Sequence, residues 1–255
     1  MSGLTLPTLS LLAVLGLLGG VGITALGPGG VLPTVGLFVL TSLLPGRVAG
    51  TGIVTHLATG TLATSAYTHS GQLRGRETRR TALLLAGSAV LGTPLGVLLN
   101  GVVSRQMFGI VLGTVVALVA MLVWYREHHR QAGPLKHPPA ALAAALGFAV
   151  STAAGVVGIG GPMLTVPLLI ALGVPVLESL ASARAQSVVI AAVGTLGYLV
   201  RGAIDWPLVA LIGLPELAGL LLGWKIAHSL PTRHLKYALV ITLLALVPYL
   251  ILHGG

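Results

Sequence analysis

Three ionisable side chains lie inside long apolar stretches of this sequence: His56, Arg184 and Glu216. An ionisable group at membrane depth is costly, so such a group is a candidate for function. The guanidinium of Arg184 can bind an anion through two parallel hydrogen bonds. Glu216 can pair with Arg184, or take and release a proton. His56 suits proton coupling, because an imidazole titrates near physiological pH.

Each of these residues also has a structural interpretation. If its helix begins later, Arg184 snorkels to the membrane surface. Glu216 can be one half of a structural ion pair, and a lone histidine in an apolar helix often only packs. The sequence leaves both interpretations open for all three residues.

Hydroxyl and amide side chains near these charges can donate hydrogen bonds to an anion, or bond back to carbonyls of their own helix. They are Thr51, Thr55, Ser182, Gln186 and Ser187.

A run rich in glycine and proline, from Gly158 to Pro167, separates the apolar stretches 140–157 and 166–172. Within a helix, glycine costs about 1 kcal/mol and proline about 3 kcal/mol relative to alanine, so the run predicts a break. At membrane depth, irregular backbone is tolerated only inside protein or beside water. A helix that starts after such a break presents free N–H groups, which can form an anion site. Close helix packing is the structural alternative.

A second run of this kind, Gly27-Pro28-Gly29-Gly30, indicates that the chain is an internal duplication. A shift of 131 residues superimposes it on the later run and brings His56 onto Ser187, so the two polar patches are expected to meet. A shift of 127 aligns glycines further along each half. The glycine pairs are Gly27 with Gly158, Gly29 with Gly160, Gly30 with Gly161, Gly92 with Gly219 and Gly96 with Gly223. Paired interrupted segments point to a transporter binding site, so the glycines of both runs are predicted to face substrate.

The composition is that of an integral membrane protein. Hydrophobic residues make up 55% of the chain and charged residues 7%, against about 25% charged in soluble domains. The net charge of +9 comes from basic residues in short loops, which orientation in the membrane explains better than nucleic-acid binding. Cysteine is absent and the histidines form no spaced ligand set, so no metal site is predicted. No nucleophile with a paired base and no phosphate loop is present, so we expect neither an enzyme nor an ATP-driven pump.

Apolar runs divide the chain into membrane segments. They cover 4–26, 31–44, 51–68, 81–100, 106–125, 140–157, 162–172, 179–200, 208–228 and 235–252. About 20 residues span a bilayer, so most runs can cross, and none alternates as a strand would. The prediction is an all-α polytopic membrane protein with eight to ten membrane segments and glycine-broken helices. The first repeat covers 1–125, a basic cytoplasmic linker 126–139, and the second repeat 140–255.

Whether the two short runs, 31–44 and 162–172, cross decides the topology. If they do, the basic loops 72–80, 126–137 and 229–236 share one side, which the positive-inside rule makes cytoplasmic. Both termini are then outside and the two five-segment repeats are inverted. If they do not, the repeats are parallel. We predict inversion.

Several motifs of the second half occur together: Gly158-Ile159-Gly160-Gly161, then Val166-Pro167, Gly202-Ala203-Ile204-Asp205-Trp206, Gly219 and Gly223. In this the chain resembles the TauE/SafE family of sulfite and sulfonate exporters over nearly its whole length. The first half matches less well, since Gly36 stands where Pro167 predicts a proline. Arg184 departs from the small residues that the family usually has there.

The matched breaks predict a secondary transporter of small anions that works by alternating access. The resemblance implies export of sulfur-containing anions, such as sulfite, thiosulfate or organosulfonates, across the plasma or inner membrane. A passive anion channel and a non-transporting scaffold subunit are the alternatives. The expected partners are the anion and membrane lipid, without nucleic acid, metal or cofactor, and a homodimer is left open.

Overall fold

The computed structural model describes residues 4–25, 28–69, 73, 75–128 and 137–229. All regular structure in these ranges is helical. The described α-helices are α1 Leu6–Ala25, α2 Val31–Leu40, α3 Pro45–His69, α4 Arg76–Asn100, α5 Arg105–His128, α6 Ala140–Val157, α7 Pro162–Ala171, α8 Val176–Val200 and α9 Trp206–Ser229, with a 3₁₀ turn at Pro28–Gly30. The predicted run 235–252 and the candidate residue Gly27 lie outside the described residues.

The described helices fall into two length classes. Six are long and apolar enough to cross a membrane, namely α1, α4, α5, α6, α8 and α9. α3 is as long as α4, at 25 residues, but it has no uninterrupted stretch apolar enough to be counted with these six. α2 and α7 have 10 residues each, about 15 Å of helix, which is about half of a 30 Å hydrocarbon core. The all-helical, multi-pass prediction is confirmed.

Several helices begin earlier than predicted, because their first turns are polar. Arg76, Arg79 and Arg80 were expected in a loop, but they belong to the first turns of α4, where Glu77 suits the helix dipole. α3 starts at Pro45, ahead of the predicted 51, because proline is well tolerated at the first helical position. Hydropathy detects the apolar part of a helix and misses its polar ends.

The helix bounds repeat between the two halves. Adding 131 to the bounds of α2, Val31–Leu40, gives those of α7, Pro162–Ala171. The same addition converts α3, Pro45–His69, into α8, Val176–Val200. The duplicated glycine runs therefore accompany duplicated helix boundaries.

In two helix pairs, a helix of one half packs against a helix of the other half through close glycine contacts. α1 lies along α9, where a Cβ added to Gly16 would come within 2.5 Å of the Ile212 carbonyl oxygen and one added to Gly20 would meet the Glu216 carbonyl. Later residues of α1 contact later residues of α9, so the two helices run parallel. Glycine allows membrane helices to approach this closely.

α4 and α6 form the corresponding pair. A Cβ added to Gly92 would come within 2.6 Å of the Phe148 carbonyl oxygen, and one added to Gly96 would meet the Thr152 carbonyl. This pair is also parallel. By element order, α1 and α6 are equivalent helices of the two halves, and so are α4 and α9. The α1–α9 pair and the α6–α4 pair are therefore the same pairing with the halves exchanged.

The central helices α3 and α8 cross in opposite directions. Gly60 of α3 faces Ser187 and Val188 of α8, whereas Gly50, earlier in α3, faces Tyr198, later in α8. Helices at equivalent places in the two halves thus run antiparallel at the centre of the bundle.

The two short helices are packed inside the protein. α2 is buried from Val31 to Phe38 and α7 from Pro162 to Pro167. Both begin next to a glycine run, of which Gly29, Gly30, Gly158 and Gly161 are buried inside the protein.

Candidate functional site

A small cavity lies where α3 crosses α8, between the starts of α2 and α7. Both halves of the chain contribute to its wall. The lining residues are Ile23, Gly30, His56, Thr59, Gly160, Pro162, Met163, Arg184 and Ser187. The cavity volume is about 10 Å³, at the lower limit of the space that one water molecule needs.

Glycine backbone encloses the imidazole of His56 from both halves. A Cβ at Gly30 would lie 2.8 Å from His56 Cε1, and one at Gly160 would lie 3.6 Å from His56 Cγ and 3.5 Å from Ser187 Oγ. His56 and Ser187, which the 131-residue shift aligns, therefore line the same cavity at the helix crossing.

The second glycine run has an irregular backbone that leaves donors available. α6 ends at Val157 and is followed by Gly158, whose φ of 75° is left-handed, and α7 begins at Pro162. The N–H groups of Gly160 and Gly161 make no backbone hydrogen bond with any other described residue. Free amides at this depth can hydrogen-bond an anion.

His56 pairs with Glu216 rather than with a residue of its own half. The distance from His56 Nδ1 to Glu216 Oε1 is 3.5 Å, and the two side chains are 4% and 0% exposed. Thr55 lies beside the same carboxylate, while its hydroxyl donates to the Gly52 carbonyl at 3.0 Å. Within the described part of the chain, neither carboxylate oxygen of Glu216 nor His56 Nε2 has a hydrogen-bond partner.

The suggested pairing of Arg184 with Glu216 is not found, since no ion pair joins them in the described structure. Arg184 Nη2 instead donates to the carbonyl oxygen of Ile23 at 2.8 Å. Ile23 lies in the last turn of α1, where carbonyl groups lack partners within the helix.

Arg184 also does not snorkel. It lies well inside α8, which begins at Val176, and is 6% exposed. The structure therefore places a cation in the wall of the cavity and against the end of α1.

Other predicted site residues have partners away from the cavity. Gln186 donates to the Gly147 carbonyl at 3.1 Å and accepts from Thr165 at 2.7 Å. Thr51 accepts from the N–H of Asp205 at 3.0 Å, and Ser182 donates to the Thr78 carbonyl at 3.4 Å.

The structure thus divides the candidates into three groups. The cavity wall contains Gly30, Gly160, His56, Arg184 and Ser187. Residues close behind it or beside the breaks are Gly29, Thr55, Gly158, Gly161 and Glu216. Residues engaged elsewhere are Thr51, Ser182 and Gln186.

Two lining residues were not predicted although the sequence carries a signal for each. Thr59 follows His56 by three positions, so it shares a helix face with it. Met163 directly follows the predicted break at Pro162. Ile23 and Pro162 also line the cavity, and Ile23 carried no chemical signal.

A bundle of apolar helices with a buried charged centre and two half-length helices defines a multi-pass helical membrane protein. The chain belongs to the sulfite exporter TauE/SafE family, whose model matches residues 12–250. It is similar to the "Probable membrane transporter protein YdhB" of Bacillus subtilis (strain 168), with 25% identity over 198 residues, 73% of this chain and 81% of the relative. No solved structure gives a significant match. The chain is thus a multi-pass membrane protein of a transporter family.

Proposed function

We propose that this protein is a secondary transporter that exports small sulfur-containing anions by alternating access. The observation that carries the proposal is the central cavity, where Arg184 and His56 lie beside glycine backbone from both halves. Sulfite, thiosulfate and organosulfonates present oxygen atoms that guanidinium and backbone N–H groups bind well. The family supports this substrate class and the direction of transport.

Anion binding in this site would combine three kinds of donor. Arg184 supplies the positive charge, Ser187 a hydroxyl, and the backbone of Gly160 and Gly161 the N–H groups. Of the equivalent glycines of the first half, Gly30 lies against Cε1 of His56, whereas Gly29 packs against Gly22 of α1. These groups together would replace the water around the anion.

We further infer that the two halves are inverted repeats with glycine-broken helices. α3 and α8 have equivalent bounds but run antiparallel, which a two-fold axis in the membrane plane requires. The parallel pairs α1 with α9 and α4 with α6 agree with the same axis. In such transporters, rocking of one repeat against the other exposes a central site to each side in turn.

The size of the cavity supports movement of this kind. A space of about 10 Å³ is too small for a sulfur oxyanion, so binding requires the helices around it to separate. An open channel would have a continuous path at this depth. A closed channel would be packed in the same way, so exchange of anions is the property that distinguishes a carrier from a passive channel.

Counterflow in proteoliposomes tests the proposal. Liposomes containing the purified protein are loaded with sulfite, thiosulfate, sulfate or methanesulfonate, and uptake of the labelled anion is followed. A carrier gives saturable uptake that the internal anion accelerates. Flux without exchange would identify a channel, and no flux with any of these anions would favour a scaffold and reject the proposal.

A matched pair of variants links that flux to the cavity. Gly160→Leu should abolish counterflow, because the side chain would fill the space between His56 and Ser187. Gly87→Leu should retain it, since a Cβ at Gly87 would meet no atom within 4 Å. Normal counterflow in Gly160→Leu would show that the break only packs helices.

A further inference from the structure

In the part of the chain that the structure describes, the buried charges around the cavity sum to zero when His56 is neutral. The charged or titratable groups of the described structure that face His56 are Glu216 of α9 and Arg184 of α8. Arg184 contributes one positive charge and Glu216 one negative charge, and all three residues are buried. Because a buried net charge is strongly disfavoured, the low-dielectric centre is stable at a total charge of zero.

An anion that enters this site breaks the balance. One added negative charge leaves the centre at minus one, and one added proton restores it to zero. The pair of His56 and Glu216 is placed to take that proton, since His56 Nδ1 lies 3.5 Å from Glu216 Oε1. His56 also lines the cavity, so the new positive charge would lie beside the anion.

We propose that each monovalent anion is carried together with one proton held on the His56–Glu216 pair, so that the loaded site has no net charge. This proposal rests on the proposed transport function and adds to it the substrate charge and the coupling ion. The proton comes from water on the side where the anion enters and returns to water on the side where it leaves. A monoanion is preferred over a dianion, because one proton cannot balance two negative charges.

The two halves differ at the charged positions, which supports separate roles for the charged residues and for the glycine runs. The 131-residue shift pairs His56 with Ser187 and Arg184 with Ile53, so neither charged position is duplicated. If the equivalent glycine backbones of the two halves were sufficient to bind the anion, transport would need only the glycines. The unduplicated charges add a function that the glycine runs alone do not supply.

Methanesulfonate is the probe, because its single negative charge does not change over the pH range used. Proteoliposomes containing the full-length protein and a pH-sensitive dye receive an inward methanesulfonate gradient, with the membrane potential clamped by potassium and valinomycin. We expect the lumen to acidify by about one proton per anion. We also expect the rate of uptake to be the same at different clamped potentials.

Two variants test whether the transported proton is held on the His56–Glu216 pair. His56→Gln and Glu216→Gln should each lose anion-driven acidification. Glu77→Gln is the control, because Glu77 lies on an exposed turn of α4, with 51% of its side chain accessible, and it should acidify the lumen as the unmodified protein does.

Different failures separate this proposal from the transport function. Methanesulfonate counterflow without acidification would overturn proton coupling and leave the transporter intact. Transport of sulfate or thiosulfate without methanesulfonate would overturn the charge balance. Absence of counterflow for every anion would reject the transport function and the coupling with it. If both variants fail to fold, the stoichiometry and voltage independence of the unmodified protein still decide.

Discussion

A single residue at the centre of this protein can both hydrogen-bond the end of a helix and line the cavity. Arg184 is the clearest case, because its guanidinium donates to the Ile23 carbonyl at the end of α1 and also lines the cavity. A carbonyl at a helix end otherwise lacks a partner, and no water is available in the hydrocarbon core. The same side chain can therefore hold α1 in place and supply the charge for an anion.

Replacing Arg184 should separate these two effects. Arg184→Ala should lower the stability of the protein by about 1.5–3 kcal/mol, the usual value of a hydrogen bond to a charged group, and should also abolish anion uptake. Arg184→Lys should recover part of the stability but little uptake, because an ammonium cannot bind an oxyanion through two parallel bonds. Thermal unfolding in detergent and counterflow measure the two effects.

Arg105 offers the control for Arg184. It donates to the carbonyl oxygens of Phe38, Thr41 and Leu43 at the end of α2, away from the cavity. Arg105→Ala should lower stability but leave the affinity of the folded protein for the anion unchanged. Equal loss of affinity in both variants would contradict a binding role for Arg184.

The left-handed glycine that ends α6 should be sensitive to any side chain. Gly158 has a φ of 75°, and an added Cβ would meet the backbone of Ala49. Gly202 has a φ of 60°, but a Cβ there would have no neighbour within 4 Å. Gly202→Ala should therefore cost only the left-handed conformation, about 1–2 kcal/mol, and Gly158→Ala clearly more. Similar unfolding temperatures for both variants would show that contact with Ala49 is unimportant.

The residues of the centre were predictable from the sequence, but not all of their partners were. The meeting of His56 with Ser187 was predictable, because a repeat brings equivalent positions of its central helices together. The pairing of His56 with Glu216 depends on how α9 is rotated against α3, and residue spacing carries no information on that angle. For the same reason, the contact of Arg184 with Ile23 was not predicted.

At the scale of helices, glycine positions decide which elements pack together. α4 shows both kinds of glycine on one helix, since Gly96 touches the backbone of α6 and Gly87 touches nothing within 4 Å. The aligned pairs Gly92 with Gly219 and Gly96 with Gly223 lie at the α4–α6 and α9–α1 contacts. These glycines were found from the sequence through their repetition, but the helix that each one contacts was not.

Alanine substitutions in α4 should have opposite effects at these two positions. Gly87→Ala should stabilise the protein by up to about 1 kcal/mol, because alanine is the better helix former. Gly96→Ala should destabilise it, because the new Cβ would meet the Thr152 carbonyl and lie 2.8 Å from Gly155 Cα. Thermal unfolding and the monodisperse fraction on size exclusion compare the two. An increase in stability for both variants would contradict close packing of α4 on α6.

For the whole molecule, charge distribution and helix direction should together determine the orientation. The starts of α4 and α8 are joined by a hydrogen bond of 2.5 Å from Thr78 to Glu178, and Glu178 also lies 3.1 Å from His137, which precedes α6. These ends therefore share one face with the arginines of the first turns of α4. By the positive-inside rule, that face is expected to be cytoplasmic.

Inversion then predicts that equivalent residues of the two halves face opposite sides of the membrane. Leu44 precedes α3 and is 72% exposed, whereas Val176 begins α8, the equivalent helix, and is 41% exposed. The chain contains no cysteine, so a single one can be introduced at each position. A membrane-impermeant maleimide should label Leu44→Cys only from outside, and Val176→Cys only from the cytoplasm, together with the control Gly75→Cys at the start of α4. Labelling of Leu44→Cys and Val176→Cys from the same side would mean parallel repeats, and the rocking of inverted halves about the central cavity would have to be abandoned.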